Sequence, residues 1–180
     1  MRRVFLLSLV LGSLAIHAAS LEYLSLEEMA SKSTAIVRGR VTSVSAFERG
    51  SVIYTGYSVQ VLEQWKGTPE SSIQIALPGG ALDGRRQLFG GIPVLEVGAE
   101  YVLFLWTGPG GLTQIIGLSQ GLFVLERDDA GQIRASQAGT TEPMLDPKTG
   151  RLAAERPLRL RLSELRLRAR TASQGRGAGR

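Results

Sequence analysis

Cysteine and asparagine are absent from this chain of 180 residues, lysine occurs three times, and the single histidine, His17, lies near the amino terminus. Without cysteine the chain has no disulfides, so its core and its hydrogen bonds must supply its stability. The segment after His17 has neither histidine nor cysteine, which excludes serine and cysteine triads, nitrogen- or sulfur-ligated zinc, haem ligation and iron–sulfur clusters there. We therefore predict no catalytic residue, no bound metal and no cofactor.

The first twenty residues have the three-part layout of a secretory signal peptide. Arginines at 2–3 supply positive charge, residues 4–16 form a predominantly apolar stretch, and Ala18 and Ser20 fit the small-x-small cleavage pattern. This apolar run is shorter than the roughly 20 residues that a transmembrane helix needs, and it lacks the polar face of a surface helix. We expect cleavage between Ser20 and Leu21 and an extracytoplasmic mature chain, either periplasmic or secreted.

Charge divides the predicted mature chain into two regions. Residues 21–136 contain nine Lys/Arg and twelve Asp/Glu, a net charge of −3, whereas residues 137–180 contain ten and four, a net charge of +6. The chain as a whole is therefore basic because of the tail, whereas the domain carries a net negative charge. This argues against nucleic acid as a partner of the domain itself. We predict one domain at 21–136 and a basic tail that adds charge rather than core after residue 153, with a short helix at about 163–172. Five leucines leave an alternative open, in which the tail adds an edge strand up to residue 162 and docks its helix on the barrel: Leu158, Leu160, Leu162, Leu165 and Leu167.

Five arginines of the tail are candidates for weak contact with an anionic lipid, cell-wall or nucleic-acid surface, and a merely solvated tail is the alternative. They are Arg159, Arg161, Arg166, Arg168 and Arg170.

Periodicity predicts a mainly β domain that begins with a short helix. Ser25 and Glu28 fit a capping box, and Leu24 is placed to pack on Met29 as a hydrophobic staple. The alternation that follows predicts strands within residues 36–42, 57–62, 73–77, 101–106, 112–118, 122–126 and 132–135. The fourth of these is almost wholly apolar, as expected of a strand buried on both faces. Short strands with closely spaced turns indicate a small closed barrel or a sandwich.

Three motifs occur in one order along the chain. They are residues 34–41 (TAIVRGRV), 59–67 (VQVLEQWKG) and 98–104 (GAEYVLF). In this order they resemble netrin-like domains, which include the amino-terminal domain of the tissue inhibitors of metalloproteinases. The chain is also similar to a set of exported bacterial domains, through residues 78–80, 90–93, 103–105 and 117–121.

The resemblance covers roughly residues 26–136 and implies a five-stranded OB-type barrel with flanking helices. The inhibitors chelate the protease zinc through an amino-terminal cysteine held by disulfides, and this chain has neither. No inhibitory residue is therefore carried over, because a shared fold does not by itself transfer a function.

OB barrels bind ligands on the face of strands two and three and on the neighbouring loops. In this chain that face corresponds to residues 49–57 and the loop 79–91. The candidate binding surface comprises Arg49, Tyr54, Tyr57, Gly79, Gly80, Asp83, Arg85 and Arg86. We interpret the domain as a non-enzymatic binding module for a protein or a cell-envelope polymer.

Two other functions stay open at this point. The first is an inhibitor or accessory domain of a secreted peptidase. The second is a hydrolase that uses Asp83, Glu96 and Glu100, since glycosidases work with two carboxyl groups. Acidic residues in glycine-rich loops are more often solvated turn formers, which argues against the hydrolase.

Overall fold

The computed structural model describes residues 21–140, 142–153 and 157–174, so the predicted signal peptide at 1–20 lies outside the described residues. In chain order the elements are β1 (Leu21–Glu22), α1 (Leu26–Lys32), β2 (Ala35–Arg49), β3 (Val52–Lys66), β4 (Ser72–Pro78), β5 (Gly80–Leu82), β6 (Arg85–Gln87), β7 (Glu100–Thr107), β8 (Thr113–Ile115), β9 (Leu122–Arg127), β10 (Ile133–Gln137), β11 (Met144–Leu145), β12 (Arg159–Arg161) and α2 (Leu162–Gln174). This content confirms the predicted mainly β class.

One antiparallel sheet forms the body of the molecule. Its strand order is β12-β10-β9-β7-β2-β3-β4, and β8 pairs with β7 beside this path. The long β2–β3 hairpin turns at Gly50, whose φ of 64° lies in the left-handed region that glycine adopts most easily. Two small pairs stand apart from the sheet: the parallel pair of β1 with β11, and the hairpin of β5 with β6.

The predicted closed barrel is not confirmed. Within the described ranges the hydrogen-bonded ladder ends at β12 on one side and at β4 on the other, so the sheet is open. The strand β8, which pairs with β7, nevertheless contacts β4, although β7, β2 and β3 lie between them in the order of the sheet. The sheet is therefore strongly curved, but in the described residues no ladder joins β8 to β4.

The sheet has a hydrophobic core on each face. Val102 and Phe104 of β7 pack with the helices, whereas Leu103 and Leu105 pack in the second core on the opposite face. This confirms the prediction of a strand buried on both faces. Trp106 is the exception, because it lies near the end of the strand and is exposed.

The first helix confirms the predicted capping box. The Glu28 amide donates to Ser25 Oγ at 3.2 Å, and the Ser25 amide donates to Glu28 Oε2 at 2.9 Å. At the other end, Lys66 Nζ donates to the carbonyls of Ala30 and Ser31 at 2.7 and 2.9 Å, which satisfies carbonyls that have no partner within a helix.

The prediction that the segment after residue 153 adds charge rather than core is wrong. The strand β12 extends the sheet by pairing with β10, and α2 packs against α1. Leu165 and Ala169, four residues apart on α2, are both 0% exposed and belong to the helix-side core. The physical reason is this apolar stripe, which the arginine-rich composition obscures.

Candidate functional site

A cavity of about 330 Å³ lies beside β3 and β4, under the connection between residues 79 and 98. The strands contribute Tyr57, Leu77 and Pro78 to its wall. The connection contributes Gly79, Gly80, Arg86, Leu88, Phe89, Ile92, Pro93 and Val94. Thr55 and Gln87 add polar groups to a wall that is otherwise largely apolar, and Arg86 is the charged residue among the described residues that line it.

The chain enters this connection through two glycines in the left-handed region. Gly79 and Gly80 have φ values of 104° and 133°. A Cβ on Gly80 would lie 2.6 Å from Thr55 Oγ1, so a larger residue would disrupt both the backbone and its packing. The Gly79 amide donates to the Ile53 carbonyl at 2.7 Å, which holds the start of β5 against the β2–β3 hairpin.

The strand β6 is fixed to the same hairpin by its first and third residues. Arg85 donates from both terminal nitrogens to the carboxylate of Glu48, at 2.8 and 2.6 Å. The side-chain amide of Gln87 accepts from the Ile53 amide and donates to the Ser51 carbonyl, both at 2.8 Å. The residue between them, Arg86, lines the cavity.

The loop after β6 is fixed to the sheet by hydrogen bonds and by one buried side chain. The amides of Leu95 and Glu96 donate to the hydroxyl groups of Tyr57 and Tyr101, at 3.4 and 3.1 Å. Leu95 itself is buried in the second core. These contacts fix the loop to the sheet, and we call the loop segment at residues 88–97 the platform.

Large apolar side chains of the same loop stay in solvent. Leu88, Phe89 and Val94 are 78%, 46% and 79% exposed, and all three line the cavity. We call these three residues the apolar rim. Val97, on the same loop, is exposed as well. Single exposed apolar residues are ordinary, but a cluster beside a cavity is typical of a binding site.

A second cavity, of about 310 Å³, continues from the first and shares Pro78, Phe89 and Ile92 with it. Glu142 closes its far side, with its side chain against the Gly90–Gly91 backbone. A Cβ on Gly91 would lie 2.7 Å from Glu142 Cγ, so this close approach requires glycine. We call the two cavities together the groove.

The structure brings together half of the predicted binding surface. Tyr57, Gly79, Gly80 and Arg86 line the groove. The other four residues lie outside it: Arg49 donates to the Gly110 carbonyl, Tyr54 stacks on Phe47, Asp83 occupies the β5–β6 turn, and Arg85 pairs with Glu48.

Sequence reasoning missed the apolar rim. The run LFGGIPVLEV at residues 88–97 carries the signal, because its apolar residues stand in a glycine- and proline-marked loop rather than in a strand.

The carboxylates proposed for a hydrolase are not gathered in one place. None of the five best-defined cavities in the described residues is lined by two of Asp83, Glu96 and Glu100. Glu100 accepts from Arg40 at 2.6 Å and from Arg38 at 2.8 Å. The Arg40 hydrogen bond foremost, with that of Arg38, lowers the pKa of Glu100 despite partial burial, so this group is ionised at neutral pH.

Glu63 joins the same charged network on the helix side of the sheet. Partial burial raises its pKa, but hydrogen bonds from Arg38, Trp65 and Arg166 outweigh that effect and leave the pKa lowered. The cavity beside it, of about 440 Å³ at the start of α2, contains both Glu63 and Arg166. These two residues form an ion pair at 3.3 Å, so their charges offset each other. Across residues 21–140, 142–153 and 157–174, no cluster of three or more carboxylates is placed to hold a metal ion.

Three of the five tail arginines contact the body. Arg166 pairs with Glu63, Arg168 pairs with Glu27, and Arg170 donates to the Gln64 carbonyl at 3.4 Å. Arg159 and Arg161, on the edge strand β12, are exposed and have no carboxylate partner among the described residues.

No protein-family model, curated protein or solved structure matches this chain. The netrin-like resemblance therefore stays a prediction. None of the helices in the described ranges has the length and apolar character needed to cross a membrane.

Proposed function

We propose that this chain is an exported, non-enzymatic binding module whose groove holds an apolar segment of a protein partner. The observation that carries the proposal is the apolar rim, Leu88, Phe89 and Val94, which is exposed to solvent and lines the cavity of about 330 Å³. Burying exposed apolar and aromatic side chains of this kind is the main source of affinity at protein interfaces.

The rigidity of the platform supports the same proposal. Leu95 lies in the core directly after Val94, and the tyrosine hydroxyls of Tyr57 and Tyr101 hold the backbone of the loop. A partner that binds a preformed surface loses less affinity to the ordering of the loop. The apolar wall favours a protein segment over a cell-envelope polysaccharide, whose hydroxyl groups would lose hydrogen bonds to water there.

An OB-type relationship is part of this proposal. The contact between β4 and β8 indicates a sheet curved in the manner of a partly open barrel. The groove also lies beside β3 and β4, which correspond to the second and third predicted strands. OB folds bind ligands in this region.

Export is the second part of the proposal and rests on the layout of residues 1–20. Intact-mass measurement of protein recovered from periplasm or medium is expected to give a chain that starts at or near Leu21. A recovered chain that retains residues 1–20 would contradict export with cleavage.

The binding proposal is tested with a phage-displayed library of random 12-residue peptides. The wild-type chain from Leu21 is expected to select peptides rich in apolar residues. The double variant Leu88→Ser/Val94→Ser is expected to bind the selected peptides about tenfold or more weakly, because truncating central apolar anchors often costs more than 1 kcal/mol each.

The matched control is Leu152→Ser/Leu167→Ser, which removes two equally exposed leucines outside the groove. Equal losses in the control and in the groove variant would contradict the proposal, as would a wild-type chain that selects no peptides. No contact in the described part of the chain specifically favours the peptidase-inhibitor or hydrolase alternatives.

A further inference from the structure

Arg86 differs from the arginine beside it. Arg85 is held by the bidentate contact with Glu48, whereas Arg86 forms no ion pair among the described residues and is exposed at the wall of the larger cavity. Alternation along β6 explains the difference, since residues 85 and 87 face the β2–β3 hairpin and residue 86 does not.

The position of Arg86 gives the groove a polar end. Its cross-strand partner on β5 is Ala81, which also lines the cavity. The apolar rim follows directly on the chain at residues 88 and 89. A ligand in the cavity of about 330 Å³ therefore meets largely apolar side chains and, beside them, one unpaired guanidinium group, whereas Glu142 lies in the second cavity of the groove.

We propose that the partner segment carries a carboxylate next to its apolar residues and that Arg86 binds this carboxylate. A guanidinium group matches a carboxylate with two parallel hydrogen bonds, and it holds its charge at every physiological pH. The carboxylate belongs either to the end of a peptide chain or to an Asp or Glu side chain, because both present the same group. This inference rests on the proposed function, since it specifies the chemistry of the segment that the groove binds.

The test compares matched peptides taken from the library selection. Each peptide is made with a free terminal carboxylate and as the carboxamide, and a second set carries an internal Glu or Gln at one position. With the wild-type chain, one carboxylate form is expected to bind about five- to tenfold tighter than its neutral counterpart. This preference is expected to shrink when salt rises from 0.05 to about 1 M, because the site is exposed.

The substitution Arg86→Gln is expected to reduce the preference to about one, without changing thermal unfolding. Arg161→Gln is the matched control, since Arg161 is also exposed and lacks a carboxylate partner in the described ranges, but lies outside the groove. The control is expected to keep the full preference.

The outcomes separate this inference from the function on which it rests. Wild-type binding of apolar peptides without any carboxylate preference would overturn the inference and leave the binding function in place. A preference that survives Arg86→Gln would overturn it too. Failure to bind any apolar peptide would overturn the proposed function itself. Displacement of the peptide by an equal concentration of decanoate would assign the groove to a free anionic amphiphile and overturn the peptide inference.

Discussion

The two faces of the sheet are covered in opposite ways. On one face, α2 buries Leu165 and Ala169 and presents arginines to solvent, two of which pair with Glu27 and Glu63. On the other face, the loop after β6 buries one leucine, Leu95, and leaves Leu88, Phe89 and Val94 exposed. The helical cover is therefore apolar inside and charged outside, whereas the loop cover is apolar on both sides.

Under the proposed function, this difference corresponds to a division of roles between stability and recognition. A charged outer face keeps an element soluble and adds little to stability beyond its buried stripe. An apolar outer face lowers solubility unless something binds it, so its presence on this loop supports the proposed binding function. Four measurements test this contrast.

Truncation after Ala138 removes β11, β12 and α2. It exposes core residues that pack beneath α2, including Ile36 and Phe104. We expect the melting temperature to fall by more than about 10 °C, because several buried apolar side chains lose their partners. Differential scanning calorimetry of the two chains from Leu21 measures this. A fall of only one or two degrees would show that the domain at 21–136 folds alone and that the helical cover is dispensable.

Two leucines on α2 sharpen the contrast within one element. Leu165 is 0% exposed and Leu167 is 68% exposed. We expect Leu165→Ala to lower the free energy of unfolding by about 2 to 5 kcal/mol, because it leaves a cavity in the core. Leu167→Ala is expected to change it by less than about 0.5 kcal/mol. Urea denaturation gives both values, and equal effects would contradict the helix orientation.

The loop contains a similar pair in adjacent residues. Leu95→Ala is expected to reduce the free energy of unfolding by about 2 to 4 kcal/mol, since Leu95 is buried in the second core. Val94→Ala is expected to change stability by less than about 0.5 kcal/mol while weakening peptide binding. If Val94→Ala destabilised the chain as much as Leu95→Ala, the apolar rim would be part of the core rather than a binding surface.

The smallest effect concerns the charged network on the helix side. Because its pKa is lowered in the folded chain, Glu100 contributes stability above the pKa of an unfolded glutamate, about 4.3. That contribution is lost as the pH falls through the lower, folded pKa. We expect Glu100→Gln to lower the free energy of unfolding by about 0.5 to 1 kcal/mol at pH 7. Below about pH 4.5 the variant is expected to lose less stability than the wild type.

Urea denaturation from pH 7 to pH 3 measures this difference. Glu70→Gln, on the exposed turn between β3 and β4, is the control. A parallel pH profile for wild type and Glu100→Gln would mean that the two arginine contacts add nothing to stability.

Local chemistry made part of the fold predictable. The Ser25–Glu28 capping box depends on residues close together in sequence, and the structure confirms it. The burial of Leu165 depends instead on α1, which lies at the other end of the chain. Composition alone could not show that contact, because the arginines around it dominate the charge of the tail.

The candidate site was predictable to the same extent. The glycine pair at 79–80 stands out in the sequence because turns have local signatures. Arg85 and Arg86 are equivalent in the sequence, and only the structure shows that Arg85 pairs with Glu48 and that Arg86 lines the groove. The exposure of Leu88 and Val94 could not be predicted, because apolar residues in a loop are equally consistent with burial. Which of these apolar residues is buried depends on tertiary packing, and in this structure Leu95 is the buried one.

The pairing of β1 with β11 bears on the order in which the chain completes its fold. The Leu21 amide donates to the Pro143 carbonyl at 3.2 Å, and the Tyr23 amide donates to the Leu145 carbonyl at 2.9 Å. The first residues of the domain are thus held by a segment near its other end. In a chain that crosses a membrane amino terminus first, β1 has no partner until β11 has emerged, and such a long-range closure forms late. If the chain is exported as proposed, Leu21 joins a strand only when the rest of the domain is in place, and the proposed cleavage site would stay accessible to a processing peptidase until then.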